Sequence, residues 1–170
     1  MHVAAWRSAY PGILPDDYLA RLSVTRYAAQ YDRQIRAGNG VFVAVASGAD
    51  ALDAARPRLI GYTTVGRARQ PLPGGCAADG EIETLYVLDD WRECSVGRRL
   101  IRTGAAHLAS AGARAAFVWV LTSNPSRWFY QRLGGKPVVA AHTHVGGVAV
   151  AQTAYVWDPI ERLIAASTAP

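Results

Sequence analysis

Lysine is almost missing from this 170-residue chain: Lys136 stands alone among 18 Lys and Arg residues. The arginines are scattered, with no basic run and no interleaved aromatic stripe, so a net charge of +5 does not describe a nucleic-acid surface. Cysteine is equally scarce. Cys76 and Cys94 have neither Cys-x-x-Cys nor metal-ligand spacing, which speaks against a disulfide framework and a zinc site. His107, His142 and His144 carry no metal spacing either, and no metal is expected. No apolar run approaches the roughly 20 residues that span a bilayer, and no signal peptide precedes Trp6, so no membrane partner and a cytoplasmic location are expected. A Gly-x-Gly-x-x-Gly after an early strand is also lacking, which argues against dinucleotide binding.

What is present is a hydrophobic fraction of 51%, enough for one globular domain with a sizeable core. Its organising stretch runs from Glu81 to Gly112. Residues 81–88 are rich in β-branched and aromatic types and read as a strand closed by Asp89-Asp90. From Gly97 the small or apolar residues Leu100, Ile101, Gly104, Ala105 and Leu108 recur at helical spacing, with Arg98, Arg99, Arg102 and His107 on the other side and Gly112 as the stop. Free amides at a helix start sit at the positive end of its dipole. A strand, a short turn and a helix flanked by Arg92, Arg98 and Arg99 therefore suit a phosphate, although many such units only cross over a sheet.

The turn Arg92-x-x-Ser95-x-Gly97, preceded by Leu85-Tyr86-Val87, resembles the acyl-CoA loop of the GNAT superfamily of N-acetyltransferases. A second block is similar in the right order: strand 116–121, then Asn124, then Phe129-Tyr130 leading to Gly134. The resemblance implies an α/β (α+β) fold. It would have a mostly antiparallel twisted sheet of six to seven strands, about four flanking helices and a splayed central parallel pair. The expected arrangement is a domain over 1–158, apparently without the family's first strand, and a C-terminal tail over 159–170. The implied activity is direct transfer of an acetyl group from acetyl-CoA, as co-substrate, to a primary amine of a small molecule or peptide. The alternative is a non-catalytic acyl-CoA-binding regulatory module.

By the same resemblance, Leu85, Tyr86 and Val87 offer main-chain groups to the coenzyme, with an amide near Val87 for the oxyanion. The turn residues Arg92, Glu93, Cys94, Ser95, Val96, Gly97 and Arg98 hold its diphosphate, and Asn124 and Tyr130 flank its arm. Tyr130 takes the general-acid position for the departing thiolate. Glu81 and Glu83 are the candidate bases. Along a regular strand both share a face with Leu85 and Val87, opposite Ile82, Thr84 and Tyr86, unless a bulge intervenes. Ser95 stands where glycine is common in the family. It is either strained at a positive φ or, the reading expected here, an N-cap whose hydroxyl adds a donor.

In chain order, residues 2–10 read as a helix stopped by Pro11-Gly12, and a second helix starts at Pro15 and runs towards Tyr31. Strands are expected at 41–46 and 59–65, joined by a long loop over 47–58. A Pro- and Gly-rich loop over 67–80 is expected to be mobile beside the cleft. Asn124 is expected to cap a helix whose first turn holds Pro125, and strands at 138–144 and 149–157 meet at Gly146-Gly147. The substrate-binding candidates are Trp6, Tyr10 and Glu83. Tyr18, Tyr27 and Trp128 belong either to an aromatic pocket or to the core. The last strands and the tail are the surfaces on which a homodimer would form.

Overall fold

The computed structural model describes residues 1–46 and 57–168. Helices α1 (His2–Ala9), α2 (Asp16–Ala20) and α3 (Val24–Arg36) lead into strands β1 (Gly40–Val45), β2 (Leu59–Arg67) and β3 (Gly80–Val87). Helix α4 (Val96–Ser110), strand β4 (Ala116–Leu121) and helix α5 (Arg127–Arg132) follow. The hairpin β5 (Lys136–Val145) and β6 (Val148–Trp157) and the helix α6 (Glu161–Thr168) complete the chain. The six strands run in the order β1-β2-β3-β4-β6-β5, and every neighbour pair is antiparallel except β3 with β4. Most of the expected loop over 47–58 lies outside the described residues.

The two faces of the sheet follow from strand alternation. Gly61, Thr63 and Val65 of β2 face α4, with Leu100 3.0 Å from where a Gly61 Cβ would lie. Tyr62 faces the other way, onto α1 and α3, where its hydroxyl meets His2 Nδ1 at 2.7 Å. The stripe read from the sequence is the buried face of α4: Leu100, Ile101, Gly104, Ala105 and Leu108 are all buried. At Gly104 the helix comes so close that a Cβ would sit 2.8 Å from Val65 Cγ1. Burying each large side chain of this stripe contributes about 1.5–3 kcal/mol. Helix α6 packs on α4, with Ile160 and Leu163 fully buried in the main core, so the apolar side of the expected tail is used within the fold.

Several local expectations are corrected. The second helix is interrupted: α2 ends at Ala20, and Ser23 starts α3 by accepting a hydrogen bond from the Arg26 amide at 3.3 Å. His107 leaves the solvated face it was expected to occupy and packs edge-on against Phe42, ring centroids 5.4 Å apart. The loop between β2 and β3 covers the sheet, since its Leu72 and Ala78 are buried with Phe117 and Val156. Asn124 does not cap α5, whose N-cap is Ser126. Instead its Oδ1 accepts from the Ser126 amide at 2.9 Å, forming the turn ahead of the helix.

Candidate active site

The parallel pair holds for three residues only, Gly80 with Ala116 to Ile82 with Val118, and then the strands part. The opening becomes a cleft of about 1040 Å³ lined by both parted strands, the turn before α4, the start of α5, α1 and the β5–β6 hairpin. Main-chain groups of β3 face into it. The Leu88 amide donates to Ile60 O at 2.9 Å, so by antiparallel alternation the Val87 amide and carbonyl point away from β2, towards the opening.

A bulge decides where the carboxylates go. Thr84 pairs with Thr64 and Ile82 with Val65, leaving Glu83 as the extra residue of β3. The alternation therefore slips by one residue. Leu85 and Val87 pack with Val96 and Leu100 of α4, on the side of Ile82. Glu81 and Glu83 lie on the opposite face and share the guanidinium of Arg69, which corrects the expectation that they side with Leu85 and Val87.

The two carboxylates are not equivalent. Glu81 is 3% exposed and is held at both oxygens by Arg69, whose Nε donates to Oε2 at 3.0 Å and whose backbone amide reaches the same atom at 3.3 Å. Arg69 is pushed further above its ordinary range, first by the hydrogen bonds to Glu81, so its guanidinium stays charged. Glu83 lines the cleft. Its Oε2 accepts from Gln34 Nε2 at 3.0 Å, and its Oε1 lies 3.8 Å from Arg69 Nε. Glu81 is not in the lining.

Three phenols converge at the base of the cleft. Tyr10 and Tyr86 share a hydroxyl hydrogen bond of 3.1 Å, and Tyr130 lines the same space. Burial pushes the Tyr130 phenol well up, and the neighbouring Tyr10 adds to the rise, so the group holds its proton at neutral pH. Burial likewise raises Tyr10, against the lowering effect of Tyr86 and the side chain of Asn124. Trp6, Asn124 and Trp128 are in the lining; Tyr27 instead stacks on His2 with centroids 3.8 Å apart, outside the cleft.

At the turn before α4, Glu93 and Ser95 both have positive φ, 62° and 59°. Ser95 holds the expected N-cap position of α4, but its side chain makes no capping bond, which corrects the role given to its hydroxyl: with the residue in the left-handed region the hydroxyl is not directed at the first free amides. Left-handed residues next to a helix start turn backbone amides into a concavity that suits an anion. Arg92 is anchored there by Asp89 at 2.7 Å, and Asp89 in turn accepts from Ser8 of α1 at 2.6 Å. Arg92, Glu93, Ser95, Gly97 and Arg98 line the cleft, whereas the exposed Cys94 and the buried Val96 do not.

Comparison with known proteins agrees with this geometry. The sequence model of the acetyltransferase (GNAT) family matches residues 5–135. The chain belongs to the GNAT family of acetyltransferases. An N-acetyltransferase of Bacillus subtilis, YuaI, is 29% identical over 163 residues, 96% of this chain and 87% of that protein. Among solved structures, the ribosomal-protein-alanine N-acetyltransferase of Brucella melitensis aligns with a TM-score of 0.66 at 16% identity, over 92% of this chain and 91% of its own. The Salmonella typhimurium acetyltransferase yncA, solved with its cofactor acetyl-CoA, aligns at 0.58 and 16%, over 81% and 74%. GNAT proteins use acetyl-CoA, and the residues present here fit it: a concave turn for a diphosphate, and a parted strand pair with free main-chain groups for an extended arm. The bulge is the alternative the sequence reading left open, whereas the Arg69 pairing was missed by it. A signal existed only in the two glutamates at i, i+2 and in Arg67 and Arg69 at the start of the preceding loop.

Proposed function

We propose that the protein transfers an acetyl group from acetyl-CoA to the primary amine of a small molecule or peptide, with Glu83 as base and Tyr130 as acid. The observation that carries this reading is the division of labour between the two carboxylates: Glu81 is locked on Arg69, while Glu83 opens onto the cleft beside the parted strands. Acetyl-CoA supplies an acetyl thioester whose sulfur departs as a thiol. The turn from Arg92 to Arg98 holds the diphosphate, the main chain of Leu85 to Val87 holds the arm, and the Val87 amide is the donor for the oxyanion. Asn124 keeps the start of α5 in place beside it.

An amine in water is protonated, so the chain must first remove a proton. The Glu83 carboxylate receives it, directly or through one water, and Gln34 keeps that carboxylate oriented. The Tyr130 hydroxyl, held protonated by its buried setting, delivers a proton to the departing sulfur. The proton lost from nitrogen as the amide forms restores the phenol.

The test is thiol release from acetyl-CoA across a panel of primary amines, alongside heat stabilisation by CoA. Glu83→Gln is expected to lower kcat about 100-fold or more while CoA stabilisation persists, and Tyr130→Phe about tenfold or more. Wild-type release rates in Glu83→Gln, or loss of CoA stabilisation in wild type, would remove the reading.

A further inference from the structure

The acceptor half of the cleft has a composition of its own. Its walls come from α1 and the segment after it, from β4 and from the β5–β6 hairpin. Trp6, Tyr10, Leu14, Trp119 and Val145 supply apolar and aromatic surface there. Thr143 and Gln152 supply neutral hydrogen-bonding groups, and Glu83 supplies the charge. The other charged lining residues lie on the coenzyme side: Asp89, Arg92, Glu93 and Arg98 at the turn, and Arg132 on α5. The two walls touch, since the turn at Gly146 lies so close to α2 that a Cβ there would be 2.7 Å from Tyr18 Cβ and Cγ.

We infer that the acceptor is a primary amine bearing a single positive charge on a compact apolar or aromatic body, and that it carries no carboxylate beside the amine. This rests on the proposed acetyl transfer and narrows its substrate. Among the described residues of this wall, one ammonium finds one carboxylate, Glu83. A second ammonium on the same molecule would leave water for a wall of neutral groups, because Glu81 is buried and already neutralised by Arg69. A free amino acid would bring its carboxylate towards Glu83 with no cation among the described residues of that wall to receive it, since Arg69 is engaged by both glutamates and is not part of the lining. The aromatic walls reward an apolar body, and the Trp6 and Tyr10 rings, with centroids 5.0 Å apart, offer π-faces to an adjacent cation. The same chemistry is presented by an arylalkylamine and by the N-terminus of a peptide that begins with a large apolar residue.

The experiment compares phenethylamine, phenylalaninamide, a Phe-Ala-Gly peptide, free phenylalanine and 1,5-diaminopentane as acceptors. Thiol release is measured with saturating acetyl-CoA, and amine binding to the CoA-loaded protein is measured by calorimetry. Phenethylamine and phenylalaninamide are expected to exceed phenylalanine and the diamine at least about tenfold, both in kcat/KM and in affinity. Trp6→Ala is expected to raise KM for phenethylamine more than it lowers kcat, with CoA stabilisation retained as proof of folding. Turnover of the peptide within about tenfold of the amide assigns the chemistry to a chain N-terminus, and its failure assigns it to a free amine. Equal or better use of phenylalanine or the diamine overturns the inference and leaves acetyl transfer standing. Absence of both CoA stabilisation and turnover of any amine removes acetyl transfer, and this inference falls with it.

Discussion

Replacing Ser95 by glycine, and separately by alanine, distinguishes strain from capping at the turn ahead of α4. Ser95 sits at φ 59° and ψ 4° with no capping bond from its side chain. A residue with a Cβ costs about 1–2 kcal/mol in this left-handed conformation, and glycine avoids that cost. Glycine in turn loses about 0.5–1 kcal/mol more chain entropy on folding, so the net gain for Ser95→Gly is about 0.5–1 kcal/mol. For a chain of this length that corresponds to a rise in Tm of about 1–4 °C. Ser95→Ala keeps the Cβ and loses a hydroxyl that caps nothing, so it should stay within about 0.3 kcal/mol of wild type. Had the hydroxyl been a cap, alanine would cost about 1 kcal/mol. Thermal unfolding of the three proteins without ligand decides the matter. A drop of about 2–4 °C for Ser95→Ala, with Ser95→Gly no more stable than wild type, would refute the strain argument. Titration with acetyl-CoA should show less than about a tenfold change in Kd for Ser95→Gly, because the backbone amides are already in place.

Arg69→Ala leaves Glu81, 3% exposed, without its cation and should destabilise by about 2 kcal/mol. That is less than for a fully buried pair, because the Arg69 side chain is 65% exposed; adding Glu81→Gln should restore most of the loss in chemical denaturation. Gly104→Ala should cost about 1–3 kcal/mol in the same assay, because the new Cβ would lie 2.8 Å from Val65 Cγ1 between packed elements. A pH effect should arise at His2, lowered from 6.5 to about 4 by burial first and by the positive N-terminus second. Its folded-state value lies below its unfolded one, so the unfolded chain binds the proton more readily. Stability is fully present above about pH 6.5 and is lost as pH falls towards 4, by about 1–2 kcal/mol after allowing for solvent screening. Comparing Tm at pH 7.5 and pH 4.5 should show a steeper fall in wild type than in His2→Gln.

The sequence by itself determined what repeats locally. The stripe of α4 and the apolar run of β4 were legible because helical and strand periods are written into neighbouring residues, and the order of turn, Asn124 and Tyr130 was legible through its resemblance to the GNAT motifs. Tertiary structure decided the rest. The bulge that sends Glu81 and Glu83 away from Leu85 exists only in the register of β3 against β2, and a one-residue slip leaves no trace in the sequence of a single strand. The choice between the two glutamates was made by Arg69, twelve residues from Glu81, in a loop whose path depends on burying Leu72 against the sheet. Ser95 was forced into the left-handed region by the join between β3 and α4. At that join the closure of the fold outweighs a penalty of about 1 kcal/mol that local preference would have avoided.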